Sequence, residues 1–183
     1  MLWYLEQECR NNPSALLGKI GKGRPYLDYA LRYAAESKYR EFIGMGDVSL
    51  PLSTYPHLGM VKFLLDANCN VNERVWTQDG RTIWDLFLAW MHDMRVSGED
   101  TRLKTWDTRP VTWLLIEHGA QTVARVKVSD LTTISTSKYG NDANQQKELS
   151  MRQILTEAFG EAEADKMCER VARNRKSWFS LWW

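Results

Sequence analysis

The chain has 183 residues, with 24 basic and 23 acidic side chains and a net charge of +1. This length accommodates one domain or a short repeat array that buries a sizeable core without disulfide bonds. A charge so close to neutral excludes a global field that would attract nucleic acid or an anionic membrane, so any such contact must be local.

The cysteines and the hydropathy pattern indicate the compartment. The three cysteines are odd in number, far apart and without metal-ligand spacing, which favours reduced thiols buried as small apolar residues. No stretch reaches the roughly 20 apolar residues of a membrane span, and the N-terminus lacks the basic and apolar segments of a signal peptide. We therefore expect a soluble protein of the cytoplasm or nucleus.

The first third of the chain predicts helices separated by short breaks. Residues 1–22 indicate two short helices, "LWYLEQECR" and "SALLGKI". Pro25 opens a longer helix in "PYLDYALRYAAESKYREFIG", whose apolar residues recur at helical spacing. A loop rich in Gly, Pro and Ser follows over residues 45–56. The next apolar helix, in "HLGMVKFLLDANCNVNE", stops abruptly at Asn68.

The middle of the chain shows the same order of elements. The segment "RVWTQDGRT" predicts a turn centred on residues 79–80, and "TIWDLFLAWMHDM" predicts a helix with an apolar stripe that includes Trp84. A polar loop over residues 95–108 precedes "RPVTWLLIEHGAQ", which predicts a short helix that ends at Gly119.

The last third predicts an extended segment and then two helices. Alternating Val and Thr residues in "ARVKVSDLTTISTS" favour a short strand, and "KYGNDANQQ" is typical of a polar linker. Ser150 and Gln153 match a capping box, and Gly160 separates this helix from "EAEADKMCERVARNRK". The final helix has one apolar stripe, made of Ala164, Met167, Cys168, Val171 and Ala172.

The terminal "RNRK" and "SWFSLWW" combine basic and aromatic residues. The favoured interpretation is that the helix ends at the basic residues and that the aromatic residues fold back and pack on the domain. Basic residues suit a helix C-terminus, and aromatic side chains bury large areas. Contact with a protein partner is the second interpretation, and peripheral contact with a membrane surface or a nucleic acid is the third.

Two segments of the chain repeat each other. The stretches "GRPYLDYAL" and "GRTIWDLFL" share four residues, and each is followed, after an insertion, by a shorter apolar helix. The shared positions are Gly23 with Gly80, Arg24 with Arg81, Asp28 with Asp85, and Leu31 with Leu88. A long helix, a short helix and a turn that recur in this order indicate an internal repeat.

These segments resemble ankyrin repeats. "HLGMVKFLLDANCNVN" is similar to the second half of an ankyrin repeat, "LLIEHGAQ" resembles the same half with its glycine, and "DGRTIWDLFLAW" resembles the turn and first helix. In texture the chain resembles the degenerate ankyrin arrays of large fungal proteins of the NACHT type. The usual Thr-Pro-Leu-His is absent, and each copy carries about 15 to 20 extra residues. The resemblance implies that Asn68 adopts the left-handed conformation that Gly119 adopts in the next copy.

The resemblance implies an all-α fold, an ankyrin-like helical solenoid with insertions and a helical C-terminal cap. We expect an N-terminal helical segment over residues 1–22, two divergent repeats over 23–122, and a linker and helical cap with an aromatic tail over 123–183. Two repeats are fewer than the three usually needed for stability, so the cap must close their exposed apolar side.

The resemblance further implies a non-catalytic scaffold that binds a protein partner and needs no cofactor. In such arrays the variable contact positions lie in the turn and at the end of the first helix, and Arg, Tyr and Trp are the usual binding anchors. These positions are Arg24, Arg32 and Tyr33 in one copy, and Gln78, Asp79, Arg81, Ala89 and Trp90 in the next. Packing in the core is the alternative for Trp90.

The alternative function is a small nucleotide-binding protein or enzyme that uses the Gly/Lys segment 18–24. "GKIGKGR" lacks the residue order of a phosphate-binding loop, so a connector is the favoured interpretation. His57, His92 and His118 lack metal-ligand spacing, and no nucleophile motif occurs. The sequence therefore predicts no catalytic, cofactor or metal residues.

Overall fold

The computed structural model describes residues 19–20, 24–28, 30–31, 58–75, 79–96, 107–129 and 146–179. The described residues are mostly helical, as expected for the all-α class, and the strands among them are short. The helices with defined ends are α1 (Leu58–Asp66), α2 (Ile83–Val96), α3 (Arg109–Glu117), α4 (Met151–Phe159) and α5 (Glu161–Phe179). The strands are β1 (Lys19–Ile20), β2 (Arg24–Pro25), β3 (Arg74–Val75), β4 (Arg81–Thr82), β5 (Val126–Ser129) and β6 (Gln146–Leu149).

Each strand pair leads directly into a helix. β1 pairs antiparallel with β2, and residues 26–28 are helical at once after it. β3 pairs antiparallel with β4, and α2 begins at the next residue. β5 pairs antiparallel with β6, and only Ser150 separates β6 from α4. A hairpin followed by a helix therefore occurs three times in the described part of the chain.

The first hairpin corrects one expectation. Lys19 and Ile20 were expected at the end of a short helix, but they form β1 and pair with Pro25 and Arg24. The physical reason is local, because Ile20 is β-branched and favours extended backbone. The rest of the segment 1–22 lies outside the described residues.

The ends of α1 and α3 have the same hydrogen-bond geometry. Asn68 has a φ of 66° and Gly119 a φ of 92°, so both are left-handed. At α1, the Cys69 N–H donates to the Leu64 carbonyl (3.0 Å) and the Asn68 N–H to the Leu65 carbonyl (2.9 Å). The same two bonds occur at the end of α3, from Ala120 to Leu115 and from Gly119 to Ile116, both 3.1 Å. This pattern is the Schellman motif, and it confirms that Asn68 ends its helix as Gly119 does.

Two asparagine side chains form hydrogen bonds with the segment at the end of α3, far from them in sequence. The Asn72 amide donates to the Gly119 carbonyl (2.8 Å), and its oxygen accepts from the Gln121 N–H (3.0 Å). Further along, Asn174 of α5 donates to the Ile116 carbonyl at the end of α3 (2.6 Å). Asn72 thus supplies a donor to the Gly119 carbonyl just beyond α3, and Asn174 adds a second donor to the Ile116 carbonyl, which already accepts from the Gly119 N–H.

One hydrophobic core runs through the described residues. α1 packs on α3, α3 on α5, α2 on α4, and α4 on α5, while β5 packs against α2. The largest fully buried side chains come from the helical residues after β2 and from all helices but α5: Leu27, Leu31, Leu64, Ile83, Trp84, Phe87, Leu88, Met91, Leu115, Ile116, Ile154 and Leu155. α2 is buried on most of its circumference, which is broader than the single stripe that its sequence predicts.

The C-terminal helices follow the sequence expectation closely. Ser150 and Gln153 form the predicted capping box at the start of α4, and Gly160, with a φ of 85°, separates α4 from α5. The predicted apolar stripe of α5 faces the core, except that Ala172 is exposed. The opposite side is charged, and Arg152 bridges Asp165 (2.8 Å) and Glu161 (3.1 Å) there. Through residue 174, up to which the side chains of α5 are described, this side of the helix is therefore polar.

Candidate functional site

The structure describes four of the predicted contact residues in full. Asp79, Arg81, Ala89 and Trp90 lie within the described residues, and Arg24 is described only as backbone in β2. Arg32, Tyr33 and Gln78 lie outside the described residues. The candidate site is therefore built around the second hairpin, β3–β4, and the start of α2.

The second hairpin presents its turn to the solvent. Val75 pairs with Arg81, and Arg74 pairs with Thr82. Asp79 is exposed and has a φ of 56°, and Gly80 has a φ of 67°. Glycine adopts this left-handed conformation freely, and aspartate is among the residues that tolerate it. The predicted turn at residues 79–80 is thus confirmed, and it leaves the Asp79 carboxylate at an accessible position.

Arg81 connects the second hairpin to the third. Its Nη1 donates to the Lys127 carbonyl of β5 over 2.7 Å. The side chain is half-buried, so part of the guanidinium stays accessible to solvent. Since a guanidinium has five N–H groups, the one that Arg81 gives to Lys127 leaves others for a further acceptor.

Asp85 lies one helical turn beyond Arg81. Its backbone N–H donates to Thr82 Oγ1 (3.1 Å), a contact typical of a helix N-cap. Its side chain is half-buried, and Oδ1 is shielded from solvent without a hydrogen-bond partner among the residues that the structure describes. Burial raises the pKa of this carboxyl above its usual value, although the nearby charges of Arg81 and Lys127 oppose the shift. The cluster of Arg81, Lys127 and Asp85 therefore holds two cations and one partly desolvated acid.

Trp90 lies against the core. It is half-buried and stacks on Phe87, with ring centroids 5.9 Å apart, and Phe87 stacks in turn on Trp84 at 6.0 Å. Ala89, which the ankyrin resemblance placed on the contact surface, is only 4% exposed. The face of α2 that carries Ala89 is therefore part of the core, because a buried alanine offers no surface to a partner.

Lys127 and its strand pair were missed as site residues. The alternation of Val126, Lys127 and Val128 predicts a strand, and both valines are buried while the lysine is exposed. The pairing of β5 with β6 brings Glu148 opposite Lys127, and Arg125 binds that glutamate (3.1 Å). The alternation of apolar and charged residues was the available signal for the strand, but it does not predict that the strand lies beside Arg81.

The Gly/Lys segment and the histidines were the other candidates for chemistry. In the Gly/Lys segment, the described residues form the antiparallel pair β1–β2. His92 is 6% exposed, between Asp93 (3.2 Å) and Glu157 (3.7 Å), and His118 Nε2 lies 3.8 Å from the Asp66 carboxylate. His57 lies outside the described residues.

The described residues contain no group of three or more His, Cys, Asp or Glu side chains that could hold a metal ion. None of their helices is long and apolar enough to span a membrane. The described residues end at 179, and the terminal aromatic tail beyond it lies outside them.

Comparison with known proteins gives no match: no family model fits the sequence, and no curated protein or solved structure is significantly similar to it.

Proposed function

We propose that the chain is a non-catalytic protein–protein interaction module, an ankyrin-like helical solenoid that binds a protein partner through its hairpin turns. The observation that carries this proposal is the recurrence of a hairpin followed by a helix, at β1–β2, β3–β4 and β5–β6. Repeat proteins are built in this way, from one supersecondary unit that stacks on copies of itself.

The C-terminal segment supports the proposal by supplying a third unit. The order of β5, β6, α4 and α5 is the order of a hairpin and two helices. In the stack, α4 packs on α2 and α5 packs on α3, just as α3 packs on α1. A third unit brings the array to the number of repeats that is usually needed for stability, and the charged outer side of α5 suits a terminal unit.

The matching helix ends support the proposal further. α1 and α3 close with the same pair of backbone bonds, and Asn72 links the chain after α1 to the end of α3. Such a link between one unit and the next is what a solenoid requires, since each unit contacts only its neighbours.

The proposed contact surface consists of the hairpin turns and the ends of the first helices. Asp79 and Arg81 are its described members, joined by Arg24, Arg32, Tyr33 and Gln78 from the sequence expectation. We leave Trp90 out of this surface, because its ring packs on Phe87 and the core. We place the protein in the cytoplasm or nucleus, on the strength of its odd and widely spaced cysteines.

The test is capture of cross-linked partners from a lysate by the full chain and by an Asp79→Ala/Arg81→Ala variant. The variant should lose specific partners, while its melting temperature falls by only about 2 to 4 °C, since Arg81 contributes one hydrogen bond to stability. Arg173→Ala, which removes an exposed arginine on α5, is the matched control and should retain capture.

Equal capture by the variant and the control would refute the proposed surface. A rise in the melting temperature on addition of ATP or GTP would instead favour a nucleotide-binding protein, because a ligand that binds only the folded state stabilises it.

A further inference from the structure

We propose that Arg81 and Lys127 together form a carboxylate-binding pair for an acidic segment of the protein partner. This inference rests on the proposed function and names the class of partner. It also extends the contact surface to the third hairpin, which the sequence alone did not implicate.

The first support is the position of Arg81. Its bond to the Lys127 carbonyl fixes the guanidinium at the boundary between the second and third hairpins, 2.7 Å from β5. A guanidinium that is already held by one N–H group loses little further rotational freedom on binding. Its planar shape also allows it to donate two parallel hydrogen bonds to one carboxylate.

The second support is the charge around Lys127. Its side chain is exposed, on the opposite side of β5 from the buried Val126 and Val128. Glu148, its partner in the strand register, forms an ion pair with Arg125, so one basic residue already neutralises that glutamate. Arg125 therefore offsets the charge of Glu148, and the exposed Lys127 ammonium adds to the positive charge of Arg81.

The third support is Asp85, which limits the excess of positive charge. Its carboxylate interacts with both Arg81 and Lys127, so the three residues together carry one net positive charge when all are ionised. One excess charge matches one carboxylate. A nucleic acid favours an uninterrupted series of basic groups, and here the acidic Asp79 and Glu148 lie among the basic residues of the hairpins. An acidic peptide is thus the better match.

The test uses a fluorescein-labelled oligoglutamate peptide, with binding followed by fluorescence anisotropy at low ionic strength. The full chain should bind the peptide and lose affinity as salt is added, because exposed charges are screened. Lys127→Glu should raise Kd about fivefold or more, since it removes one attraction and adds one repulsion, and Lys127→Gln should have an intermediate effect.

The control is Lys166→Glu, which makes the same charge change at a lysine of α5 that is 69% exposed. At about 0.1 M ionic strength it should bind the peptide within about twofold of the unaltered chain, because screening there limits interactions between exposed charges beyond roughly 10 Å. The melting temperature of each variant is measured as well, to check that the variant remains folded.

Three results would overturn the inference. They are the absence of peptide binding by the unaltered chain, equal loss in Lys127→Glu and Lys166→Glu, and tighter binding of a single-stranded oligonucleotide than of the peptide. If partner capture still depends on Asp79 and Arg81 while the peptide experiment fails, only the acidic class of partner is wrong. If capture is independent of those two residues, the proposed contact surface itself fails.

Discussion

Replacement of Asn72 by alanine tests whether its side chain couples the unit that ends with α1 to the unit that ends with α3. This amide donates to the Gly119 carbonyl (2.8 Å) and accepts from the Gln121 N–H (3.0 Å), across 47 and 49 positions of sequence. A protein hydrogen bond contributes about 1 kcal/mol net, so the two bonds set an upper estimate of about 2 kcal/mol. Gly119 and Gln121 are partly accessible and regain some bonds to water, so we expect a loss of about 1 to 2 kcal/mol.

Urea unfolding followed by circular dichroism measures this loss as a lower midpoint at an unchanged slope. For a chain of this size the melting temperature should fall by about 2 to 8 °C. Asn72→Asp should be at least as damaging at pH 7, because it places a charged oxygen beside the Gly119 carbonyl in place of a donor. The control is Asn70→Ala, which removes only the exposed local bond that the Asn72 N–H donates to Asn70 Oδ1 (2.9 Å). If Asn72→Ala destabilises the chain no more than Asn70→Ala does, the side chain does not couple the units.

Three further predictions concern local conformation, burial and the C-terminal unit. Asn68→Gly should hold or raise the free energy of unfolding by up to about 1 kcal/mol, while Asn68→Val should lower it by more, since its φ is 66°; a harmless valine in urea unfolding would contradict the left-handed assignment. Asp85→Asn should raise the urea midpoint at pH 7, because burial raises the pKa of this carboxyl, so its ionisation as the pH rises through the folded-state pKa removes stability. That gain should vanish below about pH 4, where the aspartate is protonated in both states, and a gain independent of pH would refute this origin. Removal of the chain after residue 140 should abolish sharp thermal unfolding, because α2 and α3 lose the helices that pack on them; calorimetry that shows an equally sharp transition would contradict this.

The sequence by itself determined two helix stops, one helix start and one turn. Asn68 and Gly119 mark helix stops, residues 79–80 mark a turn, and Ser150 with Gln153 marks a helix start, and the structure has each of them at the predicted position. These signals depend on the conformational preferences of one residue, or on bonds to groups within a few positions along the chain. They can therefore be recognised without any knowledge of the rest of the fold.

Only the tertiary structure decided which elements meet. The pairing of β5 with β6, the Asn72 bridge and the bond from Arg81 to Lys127 join residues that are far apart in sequence. The surroundings of Trp90 depend on the fold in the same way, since its ring is half-buried and packs on Phe87, a contact that its place in the sequence does not reveal. Local preferences do not distinguish these outcomes, because burial and long-range hydrogen bonds depend on the neighbours that the whole chain brings together.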